Sequence, residues 1–325
     1  MRIFITGATG FVGTHLVRRL AQTGHELRCL VRQTSNVGEL KKLGIPLHTG
    51  DVTEKASLQT GMRDCDWVLH LANVYSFWEP DKRTYTKVNV EGTRNVMACA
   101  LNTGVSKVVH VSTATVYGKP EDCPFTEESA VGPVRFSEYA RTKYAGDQIA
   151  WELYEKAGLP LVVIYPGSVL GSGDTKASGK YIQDLLHRRL PATVLPNAVL
   201  TVVHVGDVVE AIIKAAEKEN NIGEKYLIGK HQLSVGESNE LISEISGVPL
   251  PRIGLPGPLV MFNAGLLTLL ANLIKRPPLW GMSIDQIKTM KEELRFDGSK
   301  AESELGLTYT PVRRALEEAI ASCQE

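Results

Sequence analysis

Ile3-Phe4-Ile5-Thr6-Gly7-Ala8-Thr9-Gly10-Phe11-Val12-Gly13 stands at the start of the chain, and His15-Leu16-Val17-Arg18-Arg19-Leu20 follows with helical spacing. An apolar strand therefore runs into a glycine-rich turn, and the turn runs into a helix. Gly7 lets the chain turn sharply, Gly10 lets backbone N–H groups come close to a pyrophosphate, and Gly13 lets helix and strand pack tightly. The positive end of the helix then faces the phosphates. A glycine triplet alone is a weak motif, and its bland alternative is a tight turn without a ligand. The strand–turn–helix context points to a dinucleotide site.

Outward from this stretch, strands and helices alternate. Strand-like runs fall at 2–6, 26–32, 45–49, 66–72, 107–112 and 159–165, with helical patterns near 11–23, 37–43, 56–62, 82–102 and 139–157. Runs such as Trp67-Val68-Leu69 and Leu161-Val162-Val163-Ile164 are continuously apolar, as in a parallel sheet covered on both faces. This order predicts an α/β fold with a doubly wound parallel sheet of the Rossmann type. Beyond Gly171 the rhythm changes, and Gly, Pro and Ser punctuate 171–179, 191–197 and 251–258. The expected division is a dinucleotide-binding domain from 1–170 plus about 200–230. A smaller C-terminal substrate domain is expected from about 171–199 and 231–325, set over the carboxyl ends of the strands.

At 325 residues the chain is long enough for two domains or one large one with a sizeable core. Its 36 basic and 36 acidic residues cancel without a long single-sign block, which argues against an electrostatic nucleic-acid binder. Cys29, Cys65, Cys99, Cys123 and Cys323 lack metal-ligand spacing. They are expected to be reduced, buried thiols of a cytoplasmic protein that holds no metal. A strand beginning at Arg2 leaves no room for a signal peptide. The apolar stretch 259–274 reaches only the lower length limit of a membrane span and is interrupted by Asn263, Thr268 and Asn272. It is expected to be a lid or wall helix over an apolar pocket, with a subunit contact or a shallow membrane contact as alternatives to a transmembrane span.

Tyr139-Ala140-Arg141-Thr142-Lys143 places a phenol and an ammonium four residues apart, on one helix face. A nearby ammonium lowers the pKa of a phenol, which brings proton exchange within reach of neutral pH. The same spacing recurs at Tyr226 and Lys230, but in a segment that reads as a strand, where the two side chains share no helix face. Val111-Ser112-Thr113-Ala114-Thr115-Val116-Tyr117-Gly118 ends a strand in hydroxyl residues, at the edge where a substrate lies. Such hydroxyls either hold a carbonyl or merely cap a turn.

Together these motifs resemble the extended short-chain dehydrogenase/reductase family, also called the epimerase/dehydratase family. The resemblance extends to Gly50-Asp51-Val52, Leu69-His70-Leu71-Ala72, Asn89-Val90-Glu91-Gly92-Thr93-Arg94-Asn95, Pro166-Gly167-Ser168-Val169-Leu170-Gly171 and His204-Val205-Gly206-Asp207. It implies Tyr139 as acid/base, Lys143 as its electrostatic partner and a contact to the nucleotide ribose, and Thr113 as the catalytic hydroxyl, with Ser112 second. It implies a cofactor site of Gly7, Thr9, Gly10, Phe11, Val12, Asp51, Val52, Leu71, Ala72, Asn73, Pro166, Gly167, Ser168 and Val169. It also implies a possible homodimer through the helices at 82–102 and 139–157.

The second strand ends in Leu30-Val31-Arg32-Gln33-Thr34-Ser35-Asn36, with no carboxylate for a ribose hydroxyl. Arg32 can instead pair with a 2′-phosphate, so NADP(H) is expected over NAD(H), with Thr34, Ser35 and Asn36 adding hydrogen bonds. Tyr165-Pro166-Gly167-Ser168 lacks the asparagine common in nucleotide-sugar members and is similar to the dihydroflavonol reductase and carbonyl reductase branch. Phe77, Trp78, Phe136, Phe262 and Trp280 are candidate walls. The expectation is an NADP(H)-dependent oxidoreductase acting on a carbonyl or secondary alcohol of a small, fairly apolar molecule. The alternatives are an NAD-dependent nucleotide-sugar epimerase/dehydratase and a non-catalytic NADP-binding sensor.

Overall fold

Apolar strands with no polar face are stable only when helices cover both sides of their sheet. In the structure, a computed structural model that describes residues 1–324, seven strands form one parallel sheet, with the fully buried ones at its centre. The seven are β1 (Arg2–Thr6), β2 (Glu26–Val31), β3 (Leu47–Thr49), β4 (Trp67–His70), β5 (Lys107–Val111), β6 (Leu161–Pro166) and, after three strands that lie outside it, β10 (Lys225–Ile228). Their order is β10-β6-β5-β4-β1-β2-β3. The chain reverses direction between β1 and β4, the switch point at which ligands bind in such sheets. The expected Rossmann-type α/β fold is present.

β7 (Ser168–Leu170), β9 (Val199–His204) and β11 (His231–Ser234) form a small sheet, and β8 (Thr193–Val194) pairs with β12 (Gly254–Leu255). The chain passes repeatedly between the two larger sheets. It leaves the main one at Gly167, returns with the helix Val205–Glu217 and β10, and leaves again at Gly229. Phe296, Ala301, Leu305 and Tyr309 return to the main core. Leu316 and Ile320 on the last helix pack under the small sheet instead. The segment 296–309 thus packs into the larger core, although the expected division puts it in the smaller unit with the rest of 231–325.

The strands end slightly earlier than the apolar pattern suggests. Arg32, Leu71, Ala72 and Ser112 lie past the last ladder pairs and line a cleft at the carboxyl edge of the sheet. The helix Glu138–Ala157 is capped at its start by Ser137, which accepts from the Ala140 N–H at 3.2 Å, and ends at Gly158 in the left-handed region. The predicted helix at 82–102 runs from Arg83 to Thr103, but its stretch Thr86–Gly92 is wound as a π-helix. Asn89 sits in that wide turn. Its Oδ1 accepts from the Val74 N–H at 2.8 Å, and its Nδ2 donates to Thr142 Oγ1 at 3.1 Å.

Three expectations are corrected. The helix Gly257–Ile274 is not a lid or wall: none of its residues lines the cleft, and only Val260, Ala264 and Ala271 are buried. Phe262 and Trp280 are therefore exposed rather than cleft walls, and Trp78 lies outside the lining as well. Finally, all five cysteines are free, but Cys123 is exposed and Cys323 half-buried. Only Cys29, Cys65 and Cys99 are buried, and burial pushes the Cys29 thiol up to about 12.

The helix carrying Tyr139 can approach the π-helical stretch only because residue 146 is glycine, where an added Cβ would stand 2.4 Å from the Asn89 carbonyl oxygen. Gly146→Ala is expected to cost about 1–3 kcal/mol of stability in urea unfolding, through forced displacement of the two helices.

Candidate active site

The turn after β1 is shaped by its glycines. Gly7 has a φ of +77°, and a Cβ on Gly13 would lie 2.1 Å from the Gly7 carbonyl oxygen. Helix Phe11–Leu20 then begins at Gly10 with no side-chain cap, so its first N–H groups point into the cleft without an internal partner. The cleft has a volume of about 1160 Å³. Gly7, Thr9, Gly10, Phe11, Val12, Arg32, Asp51, Val52, Leu71, Ala72, Asn73, Pro166, Gly167, Ser168 and Val169 all line it. These are residues that could hold a dinucleotide, and the sheet brings them together from five different segments of the chain. Arg18 and Ser35 join Arg32 in the lining, whereas Thr34 and Asn36 do not. Ser35 Oγ accepts from the Arg32 N–H at 3.1 Å, and Asn36 Oδ1 is bonded to the Gly38 N–H.

Thr113 and Tyr139 line the same cleft. Thr113 also caps the turn Ala114–Tyr117, its Oγ1 accepting from the Thr115 N–H at 3.3 Å, so the capping and cleft-facing readings of this residue both hold. Ser112 is committed elsewhere, because its hydroxyl donates to Asp147 Oδ2 at 2.6 Å. Tyr139 is packed edge-on by Tyr75 and Phe77, with ring centroids at 5.2 and 6.2 Å. Lys143 lies one turn further along, outside the cleft lining, and its Nζ donates to the Val111 carbonyl at 3.0 Å.

Burial governs the charges here. It raises the Tyr139 phenol far above its ordinary range, with Tyr75 adding to the rise and the Thr113 hydroxyl opposing it. Burial also lowers the Lys143 ammonium to about 8, against the pull of the Asp147 carboxylate. The expected lowering of the phenol by the lysine is therefore absent: burial dominates, and the one group that opposes it is the Thr113 hydroxyl.

Beneath this pair lies a network that motif reading missed. Asp147, buried, accepts from His110 Nε2 at 2.9 Å as well as from Ser112. His110 stacks on His70 at 5.2 Å, and His70 bonds Thr6 Oγ1 at 2.7 Å and Thr93 Oγ1 at 3.2 Å. Burial holds both histidines below their usual range and so neutral near pH 7. The signals were present: Asp147 is a charge four residues beyond Lys143 on a buried helix face, and His70 and His110 are register partners in β4 and β5. The pair Tyr181–Asn239, whose phenol donates to the amide oxygen at 2.9 Å, also lines the cleft and carries no motif. The second Tyr/Lys spacing is structural, since Tyr226 donates to Glu304 and Lys230 pairs with Glu302.

The profile of the NAD dependent epimerase/dehydratase family matches residues 3–229. The chain belongs to this family. As a member of the epimerase/dehydratase family it is an NAD(P)-dependent enzyme of the extended short-chain dehydrogenase/reductase type. It is 32% identical over 324 residues, 98% of the chain and 93% of the relative, to a Synechocystis sp. protein with the provisional name dihydroflavonol 4-reductase. It is 30% identical, over 100% of the chain and 99% of the relative, to sterol demethylase protein B of Methylococcus capsulatus. The solved structure of gox2253 superposes with a TM-score of 0.84 at 32% identity, covering 99% of this chain and 97% of that one.

The lowered Lys143 sets a sign for stability. Its folded value, about 8, lies below the unfolded 10.5, so the unfolded chain binds more protons between the two and stability rises with pH in that window. Unfolding free energies measured from pH 8 to 10.5 in the wild type minus those in Lys143→Met are expected to rise by up to about 1.4 kcal/mol per pH unit.

Proposed function

We propose that this family member is an NADP(H)-dependent reductase of ketones or aldehydes on small, fairly apolar molecules, with the reverse alcohol oxidation at the same site. The observation that carries the reading is the Tyr139 phenol, beside Thr113 and caged by Tyr75 and Phe77 in a cleft also lined by Phe136, Leu200 and Met290. When bound, the nicotinamide supplies a hydride equivalent. The residues do the remaining work. Thr113 Oγ1 orients the carbonyl oxygen, and Tyr139, held protonated by its surroundings, donates the proton to it. Lys143 supplies positive charge one turn away, which would stabilise the phenolate left behind, and its ammonium would hold the nucleotide ribose. The glycine turn with Thr9, Phe11 and Val12 would take the pyrophosphate, Asp51 and Val52 the adenine, and Leu71, Ala72, Asn73 and Pro166 to Val169 the nicotinamide end.

Two further observations support the details. The relatives named for dihydroflavonol reduction and sterol demethylation point to apolar ring systems. Arg32 and Arg18 both line the cleft and suit a 2′-phosphate, and the stretch Leu30–Asn36 itself carries no carboxylate, although Arg18 pairs with Glu39 at 2.7 Å.

NADPH oxidation followed at 340 nm with a panel of ketones and aldehydes tests the reading. Tyr139→Phe is expected to lower kcat by about 10²–10⁴-fold while still binding NADPH. Retained turnover would assign the proton to another group. Silence of the wild type across the panel, with NAD released on denaturation, would favour the nucleotide-sugar epimerase/dehydratase alternative. Arg32→Asp is expected to weaken NADPH binding by about 10–100-fold, the worth of a charge-assisted hydrogen bond, and NADH binding far less. Equal losses for the two cofactors would remove the basis for NADP(H) preference.

A further inference from the structure

The helix Gly257–Ile274 buries almost nothing. Phe262 and Leu273 are each 71% exposed, and Leu259, Leu266, Leu269, Leu270 and Ile274 are exposed beside them. Positions 262, 266, 269 and 273 share one face, and Ile253, Leu279 and Trp280, which flank the helix in the chain, are exposed as well. A patch this large on a soluble chain marks a contact surface.

Its rim shows what the contact is. From 251 to 280 the chain carries Arg252, Lys275 and Arg276 and no aspartate or glutamate, although the whole protein has no net charge. An apolar face edged by cations and an interfacial tryptophan is complementary to anionic lipid headgroups over acyl chains. It is poorly suited to a second copy of itself, since an isologous pair would bring cations against cations. Nor can the helix cross a bilayer. Val260 and Ala264 pack with Val194 and Ile287, Thr268 Oγ1 accepts from the Ile284 N–H at 2.9 Å, and Lys275 Nζ reaches back to the Pro80 carbonyl at 3.5 Å. Asp81, beside Lys275, is already paired with Arg83 at 2.9 Å.

We propose that this helix docks the enzyme in the plane of an anionic phospholipid surface, with Phe262, Leu266, Leu269 and Leu273 entering the acyl boundary and Arg252, Lys275 and Arg276 meeting the headgroups. The docked face adjoins the site. Trp78 Nε1 donates to Asn272 Oδ1 at 2.9 Å, and the loop that carries Trp78 also carries Tyr75 and Phe77, which cage Tyr139. An apolar substrate dissolved in the bilayer would be delivered at that loop.

Co-sedimentation of the full chain with phosphatidylcholine/phosphatidylglycerol vesicles tests this, with NADPH binding as the check on folding. Binding of the wild type is expected, weakening with added salt. It should fall at least about tenfold in the double variant Phe262→Glu/Leu273→Glu, because insertion strength follows buried apolar area. It should fall about fivefold per charge removed in Lys275→Gln and Arg276→Gln. No sedimentation of the wild type, equal sedimentation of the Glu variant, or a solution dimer that this variant abolishes would each overturn the proposal, the last assigning the face to a second copy. None of these outcomes depends on turnover, so vesicle binding without ketone reduction would overturn only the reductase reading.

Discussion

Asp147 is a carboxylate almost sealed from water, and a buried charge persists only where donors surround it. The donors come from β5 and the residue after it: His110 and Ser112 both bond the carboxylate. One turn earlier on the same helix, Lys143 bonds the carbonyl of Val111, between them. These three consecutive residues of β5 and its exit are thus bolted to the helix Glu138–Ala157. Thr113 comes next in the chain and Tyr139 one turn before Lys143, so their meeting in the cleft follows from how the buried charges are satisfied.

The same burial divides the protons between phenol and ammonium, in the way the proposed reduction would require. A low-dielectric surrounding disfavours every charged form, so the Tyr139 phenol keeps its proton and the Lys143 ammonium holds its own less firmly. A phenol that is protonated before substrate arrives is a ready donor. A lysine near 8 is still mostly charged at neutral pH, and under the proposed reading it would supply charge to the phenol once its proton is given up.

Much of this was legible in the chain. β1 and its glycine turn, the continuously apolar β4 and β6, and the Tyr139/Lys143 helix follow from local rules of period, turn geometry and capping, and those rules act within a few residues. The features that escaped depend on partners far along the chain. The π-helical stretch Thr86–Gly92 adapts to Val74 and Thr142, so nothing in its own spacing announces it. Asp147 and His110 look like an ordinary surface acid and a strand histidine until the sheet brings them together. The helix Gly257–Ile274 is apolar enough to be read as a cleft wall, and only the tertiary structure shows that its wide face turns away from the cleft.

The weaving of the chain between its two larger sheets has a consequence for how the molecule comes apart. Gly167, Gly229 and Gly298, the points of passage, crowd around one another: added Cβ atoms on Gly167 and Gly229 would strike Thr201, and one on Gly298 would strike the Gly229 carbonyl. Phe296 and Tyr309 then close the main core from the far end of the chain. A protease cut or truncation after β11 would therefore not release an intact nucleotide-binding half, because that half borrows part of its interior from the last thirty residues. Shared interior of this kind ties the two sheets together, so the expectation is that they unfold as one unit.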